Sequence, residues 1–238
     1  MRRLFVVIAT IVVGAVWWRR RRLRAHRAAA PADVHFMYAM HNAFRRDLTR
    51  LERTVVGTNS LPPGWVVFRE ELEFHHRAED DDLWPELRAR TNDANDLSVI
   101  DSMIDEHAQV APALDAVARA LDRRSDLESA FDALATLVRT HLDHEEQLAL
   151  PLIEHQLSDA DWHDYLRTQR RKRGRKGAQF LCWVLDDATT GDATTVLREV
   201  RPPGRFVYRY FLKPRYDARH LWPSEGDNAA QLAEQLQS

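Results

Sequence analysis

Between residues 34 and 156 apolar side chains recur at spacings of three and four, the period of one helix face, yet several steps of the pattern carry histidine or glutamate where leucine would complete it. The first stripe runs Met37, His41, Phe44, Leu48, Leu51 and Val55. The second follows the break at Pro62-Pro63-Gly64 and runs Phe68, Leu72, His75, Glu79 and Leu83. The third is Ile100, Met103, His107, Ala111, Leu114, Ala118 and Leu121, and the fourth Leu127, Phe131, Leu134, Val138, His141, Glu145, Leu148 and Leu152. Four long amphipathic helices with short to moderate connections predict an all-α, up-down-up-down four-helix bundle over residues 33–157. An N-terminal apolar helix with an arginine-rich stretch (1–32) and a helical C-terminal extension (158–238) flank it.

The polar interruptions repeat. Residues 41–85 overlie residues 107–151 at a constant offset of 66 without a gap. His41 falls on His107, His75 on His141, Glu79 on Glu145, Asp80 on Glu146 and Pro85 on Pro151. Each half is a helical hairpin carrying a lone histidine, then a His-x-x-x-Glu pair one turn apart on one face, then a proline. Packed face to face about an approximate two-fold axis, the hairpins bring four imidazoles and two carboxylates to one level of the core.

Taken singly, His41 or His107 reads as an ordinary core histidine, and His75-x-x-x-Glu79 as a surface pair. Their joint recurrence in phase with the core asks for more, because a buried ionised carboxylate without a partner costs on the order of several kcal/mol. Cations remove that cost, and imidazole with carboxylate suits iron ahead of zinc or manganese. Cys182 is the single cysteine, so no thiolate site competes. The symmetry predicts two ions, one on His41 and His75, the other on His107 and His141, with Glu79 and Glu145 bridging. The repeat test sets aside His76, which overlies Leu142, and His144, which overlies Ala78; both are expected off the inward stripe, as surface or outer-shell groups whose loss spares the centre. Asp80 and Glu146 do repeat and stand as outer-shell partners or extra ligands, Glu146 competing with Glu145 for the bridge.

Charge is distributed unevenly behind a net of −2. Residues 1–32 hold eight basic side chains and no acidic one, residues 33–157 hold 12 and 25, and residues 158–238 hold 14 and 11. The acidic middle suits cations, and arginine runs without interleaved aromatics beside an acidic bundle argue against nucleic acid. Leu4 to Trp18 is apolar apart from Thr10 and Gly14 and lies between Arg2-Arg3 and Arg19 to Arg22. As a helix it spans roughly 22 Å, which crosses a ~30 Å hydrocarbon core only if the flanking arginines reach for the interfaces. Trp17-Trp18 suits such an interface, and the heavier arginine cluster after the segment predicts a single-pass anchor with the bundle on the cytoplasmic side of the membrane.

The motifs resemble the hemerythrin HHE cation-binding family. The matching pieces are His41-Asn42-Ala43-Phe44-Arg45-Arg46, His75-His76-Arg77-Ala78-Glu79-Asp80 with Leu83-Trp84-Pro85, Glu106-His107, and His141-Leu142-Asp143-His144-Glu145-Glu146 with Leu150-Pro151. The resemblance implies a four-helix bundle with a non-haem diiron centre that binds dioxygen reversibly, senses oxygen or iron, or reacts with nitric oxide or peroxide. Oxygen-carrying hemerythrins have a further histidine one turn before the third-helix ligand; here Met103 stands there and reads as packing, which favours sensing or reaction over carriage. The expected function is a membrane-tethered diiron protein that binds or senses dioxygen or nitric oxide. The alternatives are a diiron enzyme acting on peroxide, nitric oxide or oxygen, and a metal-free structural bundle, which leaves the six repeated polar positions without an account.

Beyond Leu157, Ser158 followed by Asp159 and Asp161 marks a helix start. The basic run Arg170 to Lys176 is expected to interrupt that helix, Phe180 to Leu185 to dock on the bundle, and Arg205 to Tyr216 to pack on it rather than lie on an anionic bilayer.

Overall fold

The computed structural model describes residues 30–223, and the regular elements among them are helices. Segment 4–18, the expected membrane anchor, lies outside the described residues; among the described residues no helix is long and apolar enough to cross a membrane. Helix α1 (His35–Thr58) buries every step of its stripe from Met37 to Val55. Helix α2 (Gly64–Ala78) starts at the Pro-Pro-Gly break and passes through a π turn (Glu79–Leu83) into α3 (Trp84–Arg90). Asp93 caps α4 (Ala94–Arg123) by accepting hydrogen bonds from the backbone N–H groups of Asn95 and Asp96. Helix α5 (Leu127–His144) passes through a second π turn (Glu145–Ala149) into α6 (Leu150–Gln156). Helix α1 packs on α2 and α5, and α4 packs on α2 and α5, which closes the four-helix ring.

The π turns follow from the repeated proline. Pro85 and Pro151 have no N–H to donate, and in a regular helix their rings press on the carbonyl four residues earlier. Just before each, Trp84 and Leu150 donate instead to the carbonyls of Glu79 and Glu145, five residues back, so the wider turn absorbs the proline. A third π turn, Tyr208–Leu212, precedes Pro214 at the same interval. The second one also corrects the fourth stripe: Leu148 is 44% exposed, while Ala149 and Leu150 take the core positions. On α4 the buried face past His107 is Val110, Leu114, Val117 and Ala120; of the expected stripe Leu114 is buried, while Ala111 and Leu121 are exposed.

The extension lies against α1. Helix α7 (Asp159–Arg173) opens with the capping box expected at Ser158, completed by Asp161. The helix ends inside the basic run, as expected, but only after Arg173: it stops at Gly174, whose φ of 53° favours glycine. A 3₁₀ turn (Gly174–Lys176) leads into α8 (Gly177–Leu185), whose Trp183 is fully buried with its ring 4.8 Å from that of Phe44. The Trp183 indole N–H donates to Asp47 at 2.7 Å, and Arg46 donates to Asp47 at 2.8 Å and to the Trp183 carbonyl at 3.1 Å, so the buried Asp47 is satisfied. Helix α9 (Thr190–Arg198) also packs on α1. The chain then forms α10 (Pro202–Val207), the third π turn and α11 (Lys213–Asp217). Arg205 to Tyr216, expected on the bundle, packs chiefly on α8 of the extension, with Tyr216 buried; Phe206, Tyr210 and Phe211 are at least 50% exposed.

Candidate metal centre

Helix α1 carries His41, α2 carries His75 and His76 and leads into Glu79, α4 carries His107, and α5 carries His141 and leads into Glu145. His41, Glu79 and Glu145 are 0% exposed, and no histidine of the set exceeds 6%. Each glutamate opens a π turn, so the widened backbone sits where the bundle presents its carboxylates.

The donors gather in two groups whose ligand atoms lie within 4.8 Å of one another: His41, His75 and Glu145, and His76, His107 and His141. The glutamates reach across both. Glu145 Oε2 is 3.2 Å from His41 Nε2, 3.9 Å from His75 Nε2 and 3.8 Å from His141 Nε2. Glu79 lies 3.1 Å from His75 Nδ1 through one oxygen and 3.6 Å from His107 Nε2 through the other. All six residues singled out by the repeat therefore converge.

His76 corrects the sequence reading. It is buried, stacked on the His107 ring at a centroid distance of 4.1 Å, and belongs to the second group. A repeat test rejects it because its counterpart is Leu142. The available signal was the tandem His75-His76: adjacent helix residues are about 100° apart, so both rings point inward where a helix faces two neighbours at once. Met103 is buried core, as expected.

Outer carboxylates hold the far side of the rings. Glu146 is 2.9 Å from His41 Nδ1, Asp80 2.7 Å from His107 Nδ1, and Glu106 2.8 Å from His141 Nδ1 and 2.5 Å from His144 Nδ1. Arg45 fixes Glu146 at 2.6 Å. Asp80 and Glu146 are thereby outer partners, His144 is one as well, and Glu106, which the sequence offered only as part of the Glu106-His107 motif and with no role, is a further one. A carboxylate at Nδ1 keeps the proton there and turns the Nε2 lone pair inward. His107 Nε2 and His141 Nε2 consequently face each other at 3.1 Å, an arrangement that two lone pairs resist and a cation between donors favours.

Inside this ring the polar atoms are orphaned. His41, His75 and His76 at Nε2 and both oxygens of Glu79 and of Glu145 have no hydrogen-bond partner, seven of the twelve such buried atoms among the described residues. Each buried unsatisfied group costs about 1–3 kcal/mol. Protonation follows the same strain. Burial, with the imidazoles around them, pushes the pKa values of His75 and His76 well down, so both rings are neutral donors. Burial and the charge of Glu145 drive the Glu79 pKa well up, while at Glu145 burial is outweighed by His41 and the pKa is lowered. The neutral imidazoles of His75 and His76, with paired carboxylates whose inward atoms lack partners, are a fitting donor set for metal ions.

Such a helical bundle, with histidine and glutamate donors turned on one another in its core, is a metal-binding protein. The hemerythrin HHE cation-binding domain matches residues 32–153, just over half of the 238-residue chain. The chain belongs to that family. No curated protein and no solved structure matches it.

Proposed function

We propose that the centre holds two iron ions, with His41, His75 and Glu145 about one, His76, His107 and His141 about the other, and Glu79 and Glu145 between them. In this reading the protein binds or senses dioxygen or nitric oxide. The observation that carries it is the set of seven orphaned inward atoms, four in the first donor group, one in the second and the two Glu79 oxygens beside both. When bound, ferrous iron supplies the electrons and the vacant coordination position that a diatomic ligand needs. The chain's own contribution is positional: Glu146, Asp80 and Glu106 hold the proton at Nδ1 of His41, His107 and His141, and the closed core keeps water from the donors. His75 and His76, already neutral, ligate without first losing a proton. The test is metal analysis after anaerobic iron loading, with a visible spectrum after oxidation. About two irons per chain and an oxo-bridged diiron band are expected; less than one iron per chain overturns the reading.

A second reading, a diiron enzyme acting on oxygen, peroxide or nitric oxide, draws support from a cavity whose wall includes His75. Stopped-flow mixing of the reduced protein with oxygen separates the two. A binding protein forms a stable adduct, whereas an enzyme consumes added reductant.

Membrane tethering through residues 4–18, with the bundle on the cytoplasmic side, completes the proposal. It is supported by the arginines on both sides of that apolar segment and by the exposed Phe206, Tyr210 and Phe211 beside Arg205 and Arg209. The full chain should sediment with membranes through an alkaline wash, and a chain lacking residues 1–32 should not; equal behaviour of the two refutes the tether.

A further inference from the structure

Between the bundle and its extension lies a cavity of about 450 Å³, bounded by α1 and α2 on one side and by α7, α8 and α9 on the other. That volume is in the range of sites for small organic molecules, about 300–1,000 Å³. Its buried floor is Met37, Met40, His75 and Ala78, so the cavity ends against a member of the His41–His75–Glu145 group, and no member of the other group lines it. The walls are otherwise mostly aromatic and aliphatic, and the two methionines can adapt to the shape of an apolar guest.

The rim is charged, with three arginines and one glutamate in the lining. Arg173 is ion-paired with the buried Glu71 and clamped between the rings of Phe74 and Phe180 at 3.8 and 3.9 Å. Glu199 faces His163 at 3.6 Å. Arg170 and Arg201 are exposed in the lining and have no ion-pair partner among the described residues. Deeper in the wall, Gln169 is 7% exposed; its amide N–H donates to Asp82 at 2.6 Å, and its carbonyl oxygen has no partner. An apolar interior, and a mouth where Arg170 and Arg201, free of ion pairs among the described residues, outnumber the carboxylate of Glu199, describe a site for an amphiphile with a negative head.

The geometry points to this cavity as the binding site of an organic carboxylate with an apolar body, the carboxylate held by Arg170 and Arg201 and the apolar end lying against His75. Binding itself is a property of the cavity. Its consequence, presentation of an organic substrate to one half of the centre and not the other, rests on the metal reading given above.

The test is calorimetric titration of the full chain with decanoate and with decanol, in the metal-free and the iron-loaded protein. Decanoate is expected to bind at one site per chain in both. Arg170→Ala with Arg201→Ala lowers decanoate affinity by roughly fivefold, as two rim ion pairs allow, and leaves decanol unchanged. Leu166→Trp, which fills the half-buried wall, abolishes binding of both ligands, while iron content stays as in the parent protein. No decanoate binding, or binding indifferent to both variants, overturns the proposal. Because metal-free protein is titrated as well, failure to load iron leaves the cavity result standing, and failure to bind decanoate leaves the iron result standing.

Discussion

The two halves of the centre come from duplicated sequence and are built differently. The first group, His41, His75 and Glu145, includes a carboxylate and borders a cavity. The second, His76, His107 and His141, is all imidazole, has two outer carboxylates behind it and lies against Trp84, 6.3 Å from the His107 ring. Sequence symmetry thus specified the level at which donors meet, while one unrepeated histidine specified how they are shared. Where Met103 offers no imidazole from α4, His76 offers one from α2.

The largest effect should come from the groups that join the halves. Glu79→Ala or Glu145→Ala removes a carboxylate within reach of imidazoles of both groups, and each should lower bound iron from about two per chain toward none. A variant that keeps one full ion would show the halves to be independent. His76→Leu tests the asymmetry itself, with an expected loss of one ion and retention of the other, whereas His144→Ala should change nothing in iron content. Equal effects of the His76 and His144 variants would return His76 to the outer role suggested by the repeat.

Outer carboxylates should separate the halves more gently. Glu106→Ala is expected to weaken the second ion and Glu146→Ala the first, each by roughly 10–100-fold, measured by competition with a chelator. Glu106 serves both His141 and His144, while Glu146 is itself held by Arg45, so the two losses should fall on different ions. If both variants weaken the same ion, the division into groups is wrong.

What could be read from the sequence follows the same line. Periodicity carries the four helices because each buries one stripe, and the six duplicated donors stood out because a polar residue in that stripe needs a reason. Duplication as a criterion is blind to whatever makes the halves unequal, which is why His76 and Glu106 escaped. The prolines were visible, yet the wider turn before each is a backbone response, and its effect on Leu148 cannot be read from spacing. The helix does end within the basic run, at Gly174, but the run did not show that Arg173 buries its stem between two rings and its charge against Glu71. The cavity was invisible because its walls come from segments far apart in the chain.

The halves also differ in how they treat a proton when metal is absent. Burial disfavours the His41 cation, but Glu145 and Glu146 outweigh it and hold its pKa up at about 9. His76 is faced by the imidazoles of His107, His75 and His141, and burial with those neighbours drives its pKa well down. A histidine whose pKa rises on folding contributes stability that is complete below its unfolded value of about 6.5 and is lost as pH climbs through the folded value. The metal-free protein should therefore lose on the order of 2–3 kcal/mol of unfolding free energy between about pH 6.5 and 9 from His41 alone. Urea titrations at stepped pH would show this decline in the parent protein and in His76→Leu, and its disappearance in His41→Leu. Metal loading should flatten the decline as well, since a ligated imidazole is neutral at either pH. An identical slope in both histidine variants would mean that Glu145 and Glu146 do not set the first half apart.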